Sequence, residues 1–168
     1  MKNPLAPEIK RIFPTPVYHA HRGPDLDTSE KKDIEDIIKG GMQGVLANSF
    51  SNDTYIFDTK LTKLKEFCER RVADYVKEII NPQKELDFYI TQSWLNITKP
   101  GQFHHQHSHP NSIISGVFYV TTVENDQIIF HDPQSKVKQI LQLDPTAASN
   151  AFNSDVFIGV KTLDLLLF

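Results

Sequence analysis

Four of the chain's seven histidines fall within six residues: His104, His105, His107 and His109. They follow a Pro100-Gly101 turn signal and precede an apolar run that starts at Ile113. Neutral imidazole is a favoured ligand for divalent transition metals. Successive side chains of a strand alternate between its two faces. Read as strand, this stretch sends His105, His107 and His109 to one side and His104 to the other. Two imidazoles about 7 Å apart along a strand can converge on one ion. The blander alternatives are a histidine-rich surface turn and a cloning tag. A tag is a terminal, uninterrupted run, and this cluster is neither. The spacing therefore favours a metal held by an H-x-H pair among His105, His107 and His109, with the choice of pair left open. His19, His21 and His131 are scattered and read as ordinary surface or packed residues.

The elements around the cluster change type near Pro82. Ile12-Phe13-Pro14-Thr15-Pro16-Val17-Tyr18 reads as an extended edge strand, because prolines are tolerated there only where their missing donors face away from a ladder. Asp27-Thr28-Ser29 is a helix start, and the acids after it suit the positive end of the helix dipole. Gly40-Gly41 breaks that helix. A second helix is expected from about Leu61 to Ile80, since Leu61, Leu64, Cys68, Val72, Tyr75, Val76 and Ile79 recur at three- and four-residue steps. Cys68 lies on this stripe and reads as a packed core thiol rather than a nucleophile. Strands are expected at 86–98, 113–123, 127–131, 137–143, 156–160 and 163–168, where β-branched and aromatic residues lie between turn signals. The chain is thus expected to be α+β, with N-terminal helices buttressing one face of a sandwich or barrel. It reads as one domain over 1–168, with strand and helices in 1–82 and barrel core in 83–168.

Composition narrows the function classes. The chain has 168 residues, 39% apolar and 23% charged, with a net charge of -3. Such a chain supports one domain with a real core. Lys60, Lys63, Lys65, Arg70 and Arg71 sit among acids on a helical pattern, which reads as a solvated face and gives no clear nucleic-acid surface. With one cysteine, neither an internal disulfide nor a zinc site of three or four thiolates can form within the chain. No apolar run approaches the roughly 18–20 residues needed to span a bilayer, and there is no signal-peptide core. A cytoplasmic protein is expected.

Three stretches carry a resemblance: Ser93-Trp94-Leu95-Asn96-Ile97-Thr98-Lys99-Pro100-Gly101, His107-Ser108-His109-Pro110-Asn111-Ser112, and Ile114-Ser115-Gly116-Val117-Phe118-Tyr119-Val120. Together with Phe13–Pro16 and Phe130-His131-Asp132-Pro133, they resemble a family of 2-oxoglutarate/Fe(II) oxygenases found in phages and marine bacteria. The resemblance implies a double-stranded β-helix, a jelly-roll or cupin-like barrel with the metal inside. It implies Fe(II) as cofactor and 2-oxoglutarate as the small-molecule co-substrate. Decarboxylation of 2-oxoglutarate to succinate and CO2 would be coupled to hydroxylation of a C–H bond in a substrate the sequence does not name. His107 takes the first-histidine position. Asn96 and Gly101 fit the N-x-x-x-x-G-x5-H-x-D pattern, which places Asn96 beside the co-substrate. Tyr119 is expected to line the same cavity. His109 stands where the common triad has its carboxylate, so the resemblance implies a metal pair at His107 and His109, with His105 and His107 as the competing pair.

The resemblance departs at the end of the chain. The family continues past a Leu-Leu-Phe strand with a distal histidine ligand and an arginine for 2-oxoglutarate, and no residue here takes either role. The apolar ending Leu165-Leu166-Leu167-Phe168 also reads as a strand lacking a partner, so the last barrel strands are expected to be missing and turnover to be poor. Two competitors remain. A cupin-like metal-binding barrel fits Gly101-x5-His107-x-His109, but Ile113 and Ile114 stand where its glutamate belongs. An inactive binding module would keep the barrel without the chemistry.

Overall fold

The computed structural model describes residues 15–44, 47–132 and 155–168. Strand β1 (Tyr18–His21) leads into helix α1 (Thr28–Lys39), followed by short strands β2 (Met42–Gln43) and β3 (Ser49–Ser51). Helix α2 (Thr62–Tyr75) passes into a π-helical turn, Val76–Ile80. Strands β4 (Asn96–Ile97), β5 (Gly116–Phe118), β6 (Gln127–His131), β7 (Asp155–Gly159) and β8 (Asp164–Leu167) complete the described elements. They form three antiparallel sheets, β1-β8-β5, β2-β3-β4 and β6-β7. The fold is α+β, with antiparallel sheets and two α-helices as expected; no closed barrel is formed among the described residues.

Helix α1 starts and stops where its chemistry dictates, whereas α2 begins after Leu61, which is left-handed at φ 56° and makes no side-chain cap. The Asp27 carboxylate accepts from the Ser29 and Glu30 amides, and Glu30 accepts in return from the Asp27 amide, a complete capping box. Asp27 also pairs with Lys63 at the start of α2, so the two helix N-termini are tied together. The Lys63 ammonium, the Ser29 hydroxyl and the Glu30 amide hold the Asp27 carboxyl well below the usual carboxylate range. Gly40 caps α1, and Gly41 follows with φ +108°, a value open to glycine at little cost. Asn81, left-handed at φ 43°, closes the turn after α2.

The core lies between the helices and one face of β8. Ile37 of α1 and Leu64, Cys68 and Tyr75 of α2 pack with Leu165 and Leu167. Tyr18 meets Tyr75 edge-on at 6.4 Å, and Phe118 meets Phe67 at 6.1 Å, so β1 and β5 also rest on α2. Burial pushes the Cys68 thiol up to about 12, an inert core thiol. Leu166 points to the opposite face and is fully buried too, so both faces of β8 are covered. Arg22, just past β1, donates to Glu30 with Nη2–Oε2 at 3.0 Å. Their second pair, Nη1–Oε1 at 2.8 Å, is a charge contact without hydrogen-bond alignment.

Several expectations are corrected. The run at 165–167 is not a strand lacking a partner: β8 is the central strand, paired with β1 on one side and β5 on the other. The edge-strand argument for missing barrel strands therefore falls. The stretch 86–98 holds only β4 and a parallel bridge from Ser93 to Tyr55. Leu86 and Tyr89 are exposed there, and although Ile90 and Leu95 pack against the core, only β4 and that bridge find a partner strand. The stretch 113–123 shrinks to Gly116–Phe118, with Ile113 and Val123 in solvent. Strands expected at 127–131, 156–160 and 163–168 are present within a residue or two. Residues 12–14 and 137–143 lie outside the described residues.

Gly116 lets β5 approach the buried Leu167. A Cβ at Gly116 would lie 2.8 Å from Leu167 Cδ2. Leu167 is fixed in the core and has little room to turn aside, so Gly116→Ala is expected to destabilise the chain by about 1–3 kcal/mol through overpacking. Urea denaturation of the two chains would measure it, and unchanged stability would mean that Leu167 adapts freely.

Candidate metal centre

Residues 102–109 carry no regular secondary structure, between the Lys99–Gly101 turn and a bend at 110–114. Gly101 and Asn111 at its two ends both take left-handed backbone, at φ +81° and +61°. Strand alternation therefore does not govern the histidines. His104 is not directed away from the pair: its ring stacks on His107 at 4.6 Å and 15°. The correction has a simple cause, because without a ladder there is no pleat to send neighbours to opposite faces.

His107 and His109 nevertheless converge. Their Nε2 atoms lie 2.9 Å apart. His107 Nδ1 is 2.9 Å from the His105 carbonyl oxygen. A carbonyl only accepts, so Nδ1 must donate, and a neutral His107 then keeps a lone pair on Nε2. That is the tautomer in which a second-shell carbonyl orients a metal-ligating imidazole. Imidazole nitrogens lie about 2.1 Å from a divalent first-row ion, so two at right angles on it are about 3.0 Å apart. The spacing of the pair fits one ion held by both. Without an ion, His109 Nε2–H donates to His107 Nε2. The His105 ring lies 5.6 Å from that of His107, tilted by 49°, while its carbonyl does the orienting.

Two members of the cluster, His109 and His104, are set against protonation. Burial, and then the neighbouring His107, push the His109 imidazole below its ordinary value. Burial and the neighbours His107, His105 and His109 do the same to His104. Neutral imidazole is the form that ligates. His107 is exposed and His109 half-buried, its ring lying 6.0 Å from that of Phe168. Among the described residues, no group of three His, Cys, Asp or Glu is arranged to hold an ion. The described residues thus bring two imidazole nitrogens together with no third such group beside them.

The other expected site residues lie in or just after strands of two different sheets. Asn96 is in β4, exposed, and its side-chain oxygen accepts from Asn48 Nδ2 at 3.2 Å. Tyr119 follows β5, its amide donating to Asp164 and its carbonyl accepting from Leu163. Burial first, then Asp126 and Asp164, raises its phenol to about 12, so it remains a hydrogen-bond donor.

The three scattered histidines each pair with a carboxylate. His19 Nε2 and His21 Nδ1 lie 3.0 and 2.9 Å from the two oxygens of buried Asp164. His131 Nδ1 lies 2.9 Å from Asp155, its cross-strand partner. The first arrangement was available in the sequence as an H-x-H alternation in a strand. Its carboxylate, 143 residues from His21, was not. Burial alone would raise the Asp164 carboxyl, but hydrogen bonds from His21, the Lys161 amide and His19 outweigh it and hold it below its ordinary value. A depressed folded-state value means the stabilisation is present above the unfolded carboxylate pKa and lost as pH falls through the folded one. Asp164→Asn is therefore expected to lower the melting temperature at pH 7 and to flatten its decline below about pH 4. Equal losses at pH 7 and pH 2.5 would contradict this.

Residues 92–168, a little under half of the chain, match the sequence model of a family described as "Putative 2OG-Fe(II) oxygenase". The matched segment contains the histidine cluster, Asn96, Tyr119 and β4–β8. A search of curated proteins found no match. No helix among the described residues is long and apolar enough to cross a membrane.

Proposed function

We propose that this chain, given the family its residues 92–168 match, is a non-haem Fe(II)- and 2-oxoglutarate-dependent oxygenase that hydroxylates its substrate. His107 and His109 hold the metal, and Asn96 and Tyr119 face the 2-oxoglutarate. The double-stranded β-helix is part of this reading. The observation that carries it is the 2.9 Å convergence of two imidazole nitrogens inside the matched segment. When bound, the iron would supply the redox chemistry that no side chain of the protein can perform. The chain's own work is positional. The His105 carbonyl holds the Nδ1 proton of His107 and so aims its Nε2 lone pair. The Phe168 ring lies beside that of His109, at 6.0 Å and 23°. The Tyr119 phenol, protonated at neutral pH, can donate to an anionic co-substrate.

The test is succinate formation from 2-oxoglutarate with Fe(II) and ascorbate. Succinate above the protein-free rate, lost in His107→Ala, supports the reading; none, with no metal bound, counts against it. The absence of a third ligand among the described residues favours one second reading, a metal-binding barrel without turnover. Metal binding through the pair with no succinate formed would select it.

A further inference from the structure

We infer that Phe168, backed by Phe130, is a positioning residue that holds the His109 imidazole in register with His107. The inference rests on the metal-pair reading above and goes beyond it, because it assigns a task to the end of the core strand. The Phe168 ring lies nearly parallel to that of His109, at 6.0 Å and 23°. Phe130 meets Phe168 edge-on at 4.9 Å and 79°. Both contacts are within the range in which aromatic pairs attract. Phe168 itself is fixed. Its amide donates to the Ser115 carbonyl at 3.0 Å and its carbonyl accepts from the Ser115 amide at 2.8 Å, continuing the β5–β8 ladder.

The geometry explains how a loop without secondary structure can present two nitrogens at a ligand spacing. His107 is anchored from within the loop, by the His105 carbonyl. Beyond its contact with His107, His109 gains its ring contact from outside, on Phe168. The pair is thus set by one local hydrogen bond and one long-range stack. The stack connects the loop to β8, whose buried leucines are the most deeply packed part of the core. Phe130 brings β6 to the same point, so two sheets back one ligand.

The experiment is Co(II) titration of the full chain, followed by its visible d–d spectrum, with NOEs between the His109 and Phe168 rings measured in the metal-free protein. Phe168→Ala is expected to weaken Co(II) binding about 3- to 10-fold, the size of one aromatic contact. Phe168→Tyr should restore both the affinity and the NOE. Phe130→Ala should shift affinity in the same direction by a smaller factor, and it keeps the inference testable if Phe168→Ala does not fold. A purely structural role would lower the melting temperature of Phe168→Ala while the folded protein kept wild-type affinity and spectrum, and that result overturns the inference. If His107→Ala and His109→Ala leave Co(II) binding intact, the metal pair itself falls and takes this inference with it. If those two variants lose binding but Phe168→Ala and Phe130→Ala do not, only the inference falls.

Discussion

His107→Ala or His109→Ala is expected to weaken Co(II) or Ni(II) binding by about 100-fold or more, since disturbing even the partner of a ligand costs about 10- to 100-fold. Each substitution reduces a two-point chelate to a single imidazole. His105→Ala is the informative companion. The alternative pair, His105 with His107, predicts an equal loss. In the structure His105 serves His107 through its backbone carbonyl, which alanine retains. Affinity in His105→Ala should therefore stay within a few-fold of wild type. Isothermal titration of the three variants separates the two pairings, and a loss in His105→Ala matching that in His107→Ala would reinstate the pair that includes His105.

Glu30→Ala is expected to destabilise the chain by about 3–5 kcal/mol, because it leaves a buried charge without its partner. Glu30 is 2% exposed and Arg22 8%. The carboxylate has two tasks, pairing with the Arg22 guanidinium and accepting from the Asp27 amide as the return half of the capping box. Alanine removes both and strands the guanidinium beside α1. A loss of this size is a large part of the stability of an ordinary domain. Replacing both partners, Arg22→Leu with Glu30→Leu, should cost distinctly less than Glu30→Ala alone, because no buried charge is then left over. Urea denaturation would measure the difference, and a double variant as unstable as the single one would mean that the pair itself, rather than the orphaned charge, carries the energy.

Local chemistry was legible in the sequence. Asp27 as a cap, Gly40-Gly41 as a stop and the stripe of α2 all depend on neighbours within a few residues, where the i, i+3 and i, i+4 spacing fixes what meets. The strand 127–131 was legible because β-branched and aromatic residues lie there between turn signals. The histidine pair was legible as a cluster because His107 and His109 are two residues apart, although the reason given for their convergence, strand alternation, does not operate there.

Whatever depends on pairing across the chain was decided by the tertiary structure. The sequence alone determined an α+β chain with an apolar helix stripe, an inert core cysteine and an imidazole cluster of ligand type, because composition and short-range periodicity are properties of the covalent order. It did not determine that the leucine run 165–167 lies between β1 and β5, since a hydrophobic strand reads the same at an edge and at the centre. Nor did it reveal that His19 and His21 share Asp164, or that Phe168 faces His109, because these contacts join residues brought together only when β8 inserts into its sheet. The segment 86–98 shows the converse: its β-prone composition was plain and Ile90 and Leu95 do pack on the core, but a strand also needs a hydrogen-bonding partner, which the fold supplies only at β4 and one bridge.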